Sequence, residues 1–195
     1  RLSNNCLCRF SPNEKLSFKY CLFLILFIFH AAMFSVVNYV FPHYDVTRVT
    51  GVEVKRMDKD GFITKSNPAD GVVRDVYFIN TQNDDGKIMV YRNEDTRWGF
   101  PFYFKFNSAD VQAKAQGFAN SDNNVTIKYY GYRISMLNEF RNVISIKDSG
   151  TNTSWPIASY VLYFILFISL VIWIRKINKA FAPKVENLEM KKESV

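Results

Sequence analysis

The chain has 195 residues, 48% of them hydrophobic and 18 of them phenylalanine, and carries 25 Lys and Arg against 18 Asp and Glu for a formal charge of +7. The excess charge lies at the two ends, which argues against nucleic-acid binding, since that needs a basic face on the folded domain itself. All three cysteines, Cys6, Cys8 and Cys21, lie in or just after the N-terminal tail, which excludes a disulfide framework for the rest of the chain.

Residues 1–19 read as a basic cytoplasmic tail, with Arg1, Arg9, Lys15 and Lys19 against Glu14. Cys6 and Cys8 have no further Cys or His within reach and read as free thiols; no metal site and no cofactor is expected. The chain opens on Arg1 rather than Met, so a start further upstream is expected.

Residues 20–41 form an apolar stretch that, at about 1.5 Å per helical residue, crosses a hydrocarbon core of about 30 Å. A cleaved signal peptide is the competing reading; the run exceeds an ordinary signal core, and no A-x-A site follows it. His30 falls near the middle of this span, where an ionisable side chain needs a partner. Its level matches Tyr163 on the second span, which predicts a His30–Tyr163 hydrogen bond, with Ala31 and Ser35 as a small-residue contact between the helices. The competing reading is a neutral His30 facing a larger complex.

Residues 42–155 read as a small, mostly β domain. Near-alternating β-branched residues at 46–57, 73–80 and 87–93 predict three strands. Asp-Gly within residues 83–86 marks a hairpin turn, because both residues tolerate positive φ. Further turns are expected at 59–61 and 67–71. Residues 107–119 predict a helix, with Asn107 or Ser108 as cap and Asp110 in the first turn. Residues 125–136 and 142–147 predict two more strands. The order β-β-β-α-β-β is that of an OB-like five-stranded barrel, or else of an open sheet packed on one helix.

Residues 98–106 place Trp98, Phe100, Phe102, Phe104 and Phe106 on one side of an extended chain, with Gly99, Pro101, Tyr103 and Lys105 on the other. This aromatic face reads either as core or bilayer-facing belt, or as a platform for an apolar or sugar ligand or another membrane protein. Pro101 suits an edge or irregular strand. Upstream, Glu94 and Asp95 could serve acid–base chemistry if burial split their pKa values, but the adjacent Arg92 and Arg97 favour ordinary ion pairs. Asp84 and Asp85 read as turn residues. His43 is the one histidine of this segment. No nucleophile–base set, phosphate loop or ligand cluster accompanies it, so no catalytic residue is assigned.

Residues 156–174 form the second apolar stretch, bounded by Trp155 and Trp173 as interfacial anchors, and 175–195 a second basic tail with six Lys and Arg against three Glu. Short basic loops stay cytoplasmic, so both termini are expected inside and the central domain outside.

The motifs TGVEVKRMDKDG (50–61), NPADGVVRDVYFINT (67–81), YRNEDTRWGFPFYFKFNSADVQAKAQ (91–116) and YYGYRISML (129–137) together resemble a proteobacterial membrane family catalogued as domain of unknown function 1523. The resemblance implies a bacterial inner-membrane location with the central domain in the periplasm, and supplies no activity or site residue. The expected function is a non-enzymatic accessory or scaffold protein whose periplasmic domain binds an envelope or membrane-complex partner. The alternative is a membrane-tethered carrier or sensor for an apolar or sugar ligand, and a hydrolase built on Glu94 and Asp95 ranks last. The lipid bilayer and another membrane or periplasmic protein are the partners expected.

Overall fold

The computed structural model describes residues 12–58, 61–149 and 155–182; Cys6, Cys8 and the outer parts of both tails lie outside these. The chain divides into two compact units, one drawn from residues 1–35 and 161–195 and the other spanning 36–160.

The first unit holds most of α1 (Pro12–Val40) and α3 (Ile157–Ala180), the two apolar helices, each long and apolar enough to cross a membrane; residues 36–40 and 157–160 belong to the second unit. Both exceed the apolar stretches read from sequence: α1 starts at Pro12, whose missing N–H costs nothing in a first turn, and α3 continues through Arg175, Lys176 and Lys179. Phe34 packs on Tyr163 at a ring separation of 4.7 Å and Phe18 on Phe181 at 6.1 Å. His30 differs from its expected pairing. Its Nδ1 lies 2.9 Å from the Leu26 carbonyl of its own helix, and its Nε2 has no hydrogen-bond partner. The ring of Tyr163 thus meets α1 one turn beyond His30, through Phe34. Ala31 is exposed rather than held in a close helix contact.

The second unit is a mixed six-stranded sheet with one helix packed on it. The strands are β1 (His43–Asp58), β2 (Gly61–Phe62), β3 (Arg74–Gln82), β4 (Ile88–Asn93), β5 (Asn124–Tyr130) and β6 (Asn142–Asp148). Their order is β2-β1-β3-β4-β6-β5, and β1 additionally pairs with β5. β1 serves both neighbours by dividing its length: His43 to Arg48 pair with β5 and Arg48 to Met57 with β3. The register shifts between Val49 and Gly51, where a residue without Cβ lets the strand bend.

Helix α2 (Ser108–Ala119) places Val111 and Ala115, four residues apart and so on one face, into the core with Val49, Ile79, Tyr91, Val125, Ile127, Val143 and Ile146. The opposite face of β3 carries Phe78, fully buried against Phe62 of β2 and Phe140, with ring separations of 5.7 and 5.0 Å. This packing accounts for β2, which the sequence predicts only as a turn. The predicted strand over 125–136 stops at Tyr130. Gly131 adopts φ +88° and its N–H donates to the Tyr39 carbonyl, so the ladder ends there, and a single 3-10 turn follows at Ser135–Leu137.

The parallel pairing of β4 with β6 is confined to Arg92 opposite Asn142. The Asn142 side chain extends it: Oδ1 accepts the Glu94 N–H at 2.9 Å, while Nδ2 donates to the Glu94 carbonyl at 3.1 Å and to Tyr130 Oη at 2.9 Å. Asn142 is buried, so truncating it leaves backbone groups unsatisfied. Asn142→Ala is expected to destabilise the protein by about 1–3 kcal/mol, read as a lowered melting temperature in detergent.

Candidate functional site

The segment from Arg97 to Phe106 is not a strand. Thr96 to Pro101 form tight turns, with Gly99 N–H on the Thr96 carbonyl and Phe102 N–H on the Gly99 carbonyl, each at 2.8 Å. Arg97, Phe102 and Phe104 adopt left-handed conformations with φ of 49°, 47° and 49°. Alternation of sides nonetheless survives from Phe100 to Phe106, while Gly99 is exposed with Trp98. Trp98, Phe100, Phe102, Phe104 and Phe106 are exposed, at 75, 61, 60, 53 and 55%. Pro101 and Lys105 are buried and Tyr103 half-buried. The aromatic face is therefore not core. Its rings touch one another edge to face, Trp98 with Phe104 at 5.5 Å and with Phe106 at 5.8 Å, Phe100 with Phe102 at 5.9 Å.

What holds this loop is its other side. Lys105 Nζ donates to Asn93 Oδ1 and, at 2.6 Å, to the Val143 carbonyl. Asn93 is fully buried, and its Nδ2 donates to the Ser108 carbonyl and to Gln112 Oε1, which turns its oxygen toward Lys105. The Lys105 backbone is held as well, its N–H donating to Thr96 Oγ1 and its carbonyl accepting from Arg97. Tyr103 stacks on Tyr130 at 5.0 Å, and its hydroxyl donates to the Val40 carbonyl in the last turn of α1. Phe100 lies parallel to Tyr39 at 6.4 Å.

The left-handed backbone at three bulky residues costs about 1 kcal/mol or more at each. Their exposed side chains recover little of that by packing. A strained loop kept in place by its buried face, with its aromatic rings outward, is a built surface.

The acidic pair is occupied structurally. Glu94 lies 3.1 Å from Arg92 Nε and 3.7 Å from Arg74 Nη1, and Asp95 Oδ1 accepts the Ser108 N–H at 2.8 Å. Asp95 thus caps α2 from outside the helix; Asn107 and Ser108, the expected caps, make no side-chain cap bond there. A cavity of about 430 Å3 adjoins both acids together with Arg74, Arg97 and Asn93. His43 is held by the Asn38 carbonyl at 2.8 Å and stacks on Tyr129. Among the described residues no group of three or more His, Cys, Asp or Glu is placed to hold a metal ion.

A second cavity, of about 310 Å3, runs beside β4 and is lined by Lys87, Ile88, Met89, Val90, Tyr91, Arg133 and Arg141. Two of these lining residues hold Asp45: the Tyr91 hydroxyl donates to it at 2.7 Å and Arg141 pairs with it at 3.5 Å. Sequence reading assigned no role to Lys87, Arg133 or Arg141, because nothing local shows that a strand and a distant loop meet there.

Burial lowers the Lys105 ammonium from its ordinary 10.5 to about 8. Between about pH 8 and 10 the folded protein releases this proton before the unfolded chain does, so stability is expected to rise with pH in that window. Above it the effect reverses. Burial, reinforced by Asp45, raises Tyr91, burial also raises Tyr103, and the unfolded chain then ionises its tyrosines first. Lys105→Met is expected to flatten the rising limb in denaturation followed across pH. Phe102→Gly is expected to change stability by no more than about 1 kcal/mol, against about 3–5 for deleting a buried phenylalanine. Thermal unfolding in detergent measures it.

The chain matches the family described as "Protein of unknown function (DUF1523)" over residues 18–181. It is also 66% identical over 166 residues to an uncharacterized protein of Haemophilus influenzae, covering 84% of this chain and 95% of that protein. No solved structure matches the chain. With the match running from within α1 to just past α3, the protein belongs to the DUF1523 family of proteins of unknown function.

Proposed function

We propose that this is a non-enzymatic accessory protein of the bacterial inner membrane, with both termini cytoplasmic and a periplasmic domain that binds an envelope or membrane-complex partner. The basic residues flanking the apolar helices favour this orientation. We read the domain as an OB-like barrel: following β1, β3, β4, β6 and β5 leads back to β1, with α2 between β4 and β5. β2 is an addition to that plan.

The observation that carries a partner-binding role is the open side of β4. Arg92 N–H donates toward β6, to the Arg141 carbonyl. Strand alternation turns the N–H and C=O of Val90 and Ile88 to the same side. No β6 residue is paired with them, since that pairing is confined to Arg92 and Asn142. The cavity lies along this edge, with Lys87, Arg133 and Arg141 around it. An extended segment can add to such an edge through main-chain hydrogen bonds, and the three lining cations, one of them paired with Asp45, favour a segment carrying acidic residues. The acids a hydrolase would use are instead bound in ion pairs and a helix cap.

The test is crosslinking in native membranes, followed by purification in mild detergent and mass spectrometry. A stoichiometric protein partner is expected. Val90→Pro, which deletes the outward N–H without touching the β3 pairing, and Arg133→Glu are each expected to reduce its recovery at least several-fold. A partner retained by both variants removes the β4 edge from the reading. A protein carrying only lipid or sugar replaces the accessory role with the carrier.

A further inference from the structure

The aromatic loop has an occupant distinct from the partner at β4. We propose that the exposed rings of Trp98, Phe100, Phe102, Phe104 and Phe106 seat in the headgroup–acyl boundary of the leaflet from which α1 emerges, as a third membrane contact beside the two helices. This rests on the reading of α1 and α3 as membrane spans.

Three observations carry it. The first is location. The Tyr103 hydroxyl bonds to Val40 and Phe100 lies over Tyr39, and these two residues belong to the final turn of the apolar helix α1. For a helix that spans, that turn lies at the membrane surface, so the loop docked on it lies at the same depth.

The second is composition. Residues 96–107 contain five outward aromatic rings, no Asp or Glu, and one exposed cation, Arg97. Such a patch is apolar in the middle, with a guanidinium suited to anionic headgroups at its edge. Aromatic residues are favoured at that boundary.

The third is rigidity against cost. The left-handed Phe102 and Phe104 are kept in place by Lys105 and Tyr103 from behind. Strain of this kind, held by the surrounding structure at an exposed aromatic surface, marks a functional surface rather than a packing one. Water is an unfavourable solvent for five exposed rings that adjoin in two groups, Trp98 with Phe104 and Phe106, and Phe100 with Phe102, and the leaflet beside α1 is the nearest apolar phase.

The test uses full-length protein reconstituted in vesicles of phosphatidylcholine and phosphatidylglycerol whose acyl chains carry bromine. Trp155→Phe with Trp173→Phe leaves Trp98 as the reporter, and Trp98→Phe with Trp155→Phe leaves Trp173 on α3. Quenching of Trp98 by bromolipid, with little quenching by aqueous iodide, is expected. Adding Phe102→Ser and Phe104→Ser is expected to reduce the lipid quenching of Trp98 several-fold. If bromolipid quenches Trp173 while Trp98 answers only to iodide, the inference is overturned and the spans stand. If bromolipid quenches neither, the spanning reading fails and this inference with it.

Discussion

A lysine placed inside the domain sets the form of its surface. Lys105 occupies a position where water cannot reach its ammonium, an arrangement that is tolerated only with good hydrogen-bond acceptors. It has two, the Asn93 amide oxygen and the Val143 carbonyl, contributed by β4 and β6. Those are the strands whose direct pairing is shortest, so one side chain joins the aromatic loop to both sides of the weakest seam in the sheet. Asn142 closes the same seam from the other strand through Glu94. Loop position and seam closure are therefore one structural problem with one set of polar contacts.

This coupling explains the otherwise costly backbone of residues 97–104. A loop free to relax would move Phe102 and Phe104 out of the left-handed region and bring their rings together away from water. Tyr103 and Lys105, alternating with those rings, are each fixed at their far ends, and the residues between them have no slack. Exposure of the aromatic rings follows from burial of their neighbours rather than from any preference of their own.

Much of this was legible in the sequence, and its limits have physical causes. Strands β1, β3, β4 and β6 announce themselves through side-chain alternation, and α2 through its composition, because each meets the core along one regular face. β2 was hidden: its reason for existing is Phe62 on Phe78, a contact between distant segments. The expected division of residues 98–106 into two sides holds from Phe100 to Phe106 but not at Gly99, which is exposed, and the expected strand does not form. Turns through left-handed residues can also alternate the sides, and Pro101 was the one local sign of irregularity. Sequence assigned Lys105 to the side opposite the rings, but no local pattern says that this side faces inward. Likewise the sequence reads Asp95 as one half of an ordinary ion pair and not as the cap of α2, since that connection spans thirteen residues. His30 was placed by counting levels on two helices, a procedure blind to rotation about either axis. Its Nδ1 is held by the Leu26 carbonyl one turn earlier.

Two apolar helices already suffice to keep a protein in a bilayer, so a third contact through aromatic rings adds little to retention. Its value is orientational. A domain attached at two points can still rock about the line joining them, and the free end of its motion is whatever lies off that line. A rigid third contact removes the rocking without new spans, and rigidity is what the Lys105 and Tyr103 anchors supply. A partner strand meeting the β4 edge needs that edge at a constant height and angle, because main-chain pairing tolerates little misalignment. On the proposed reading, the buried lysine, the strained aromatic loop and the open strand would form one device: the first fixes the second, and the second would steady the third for its partner.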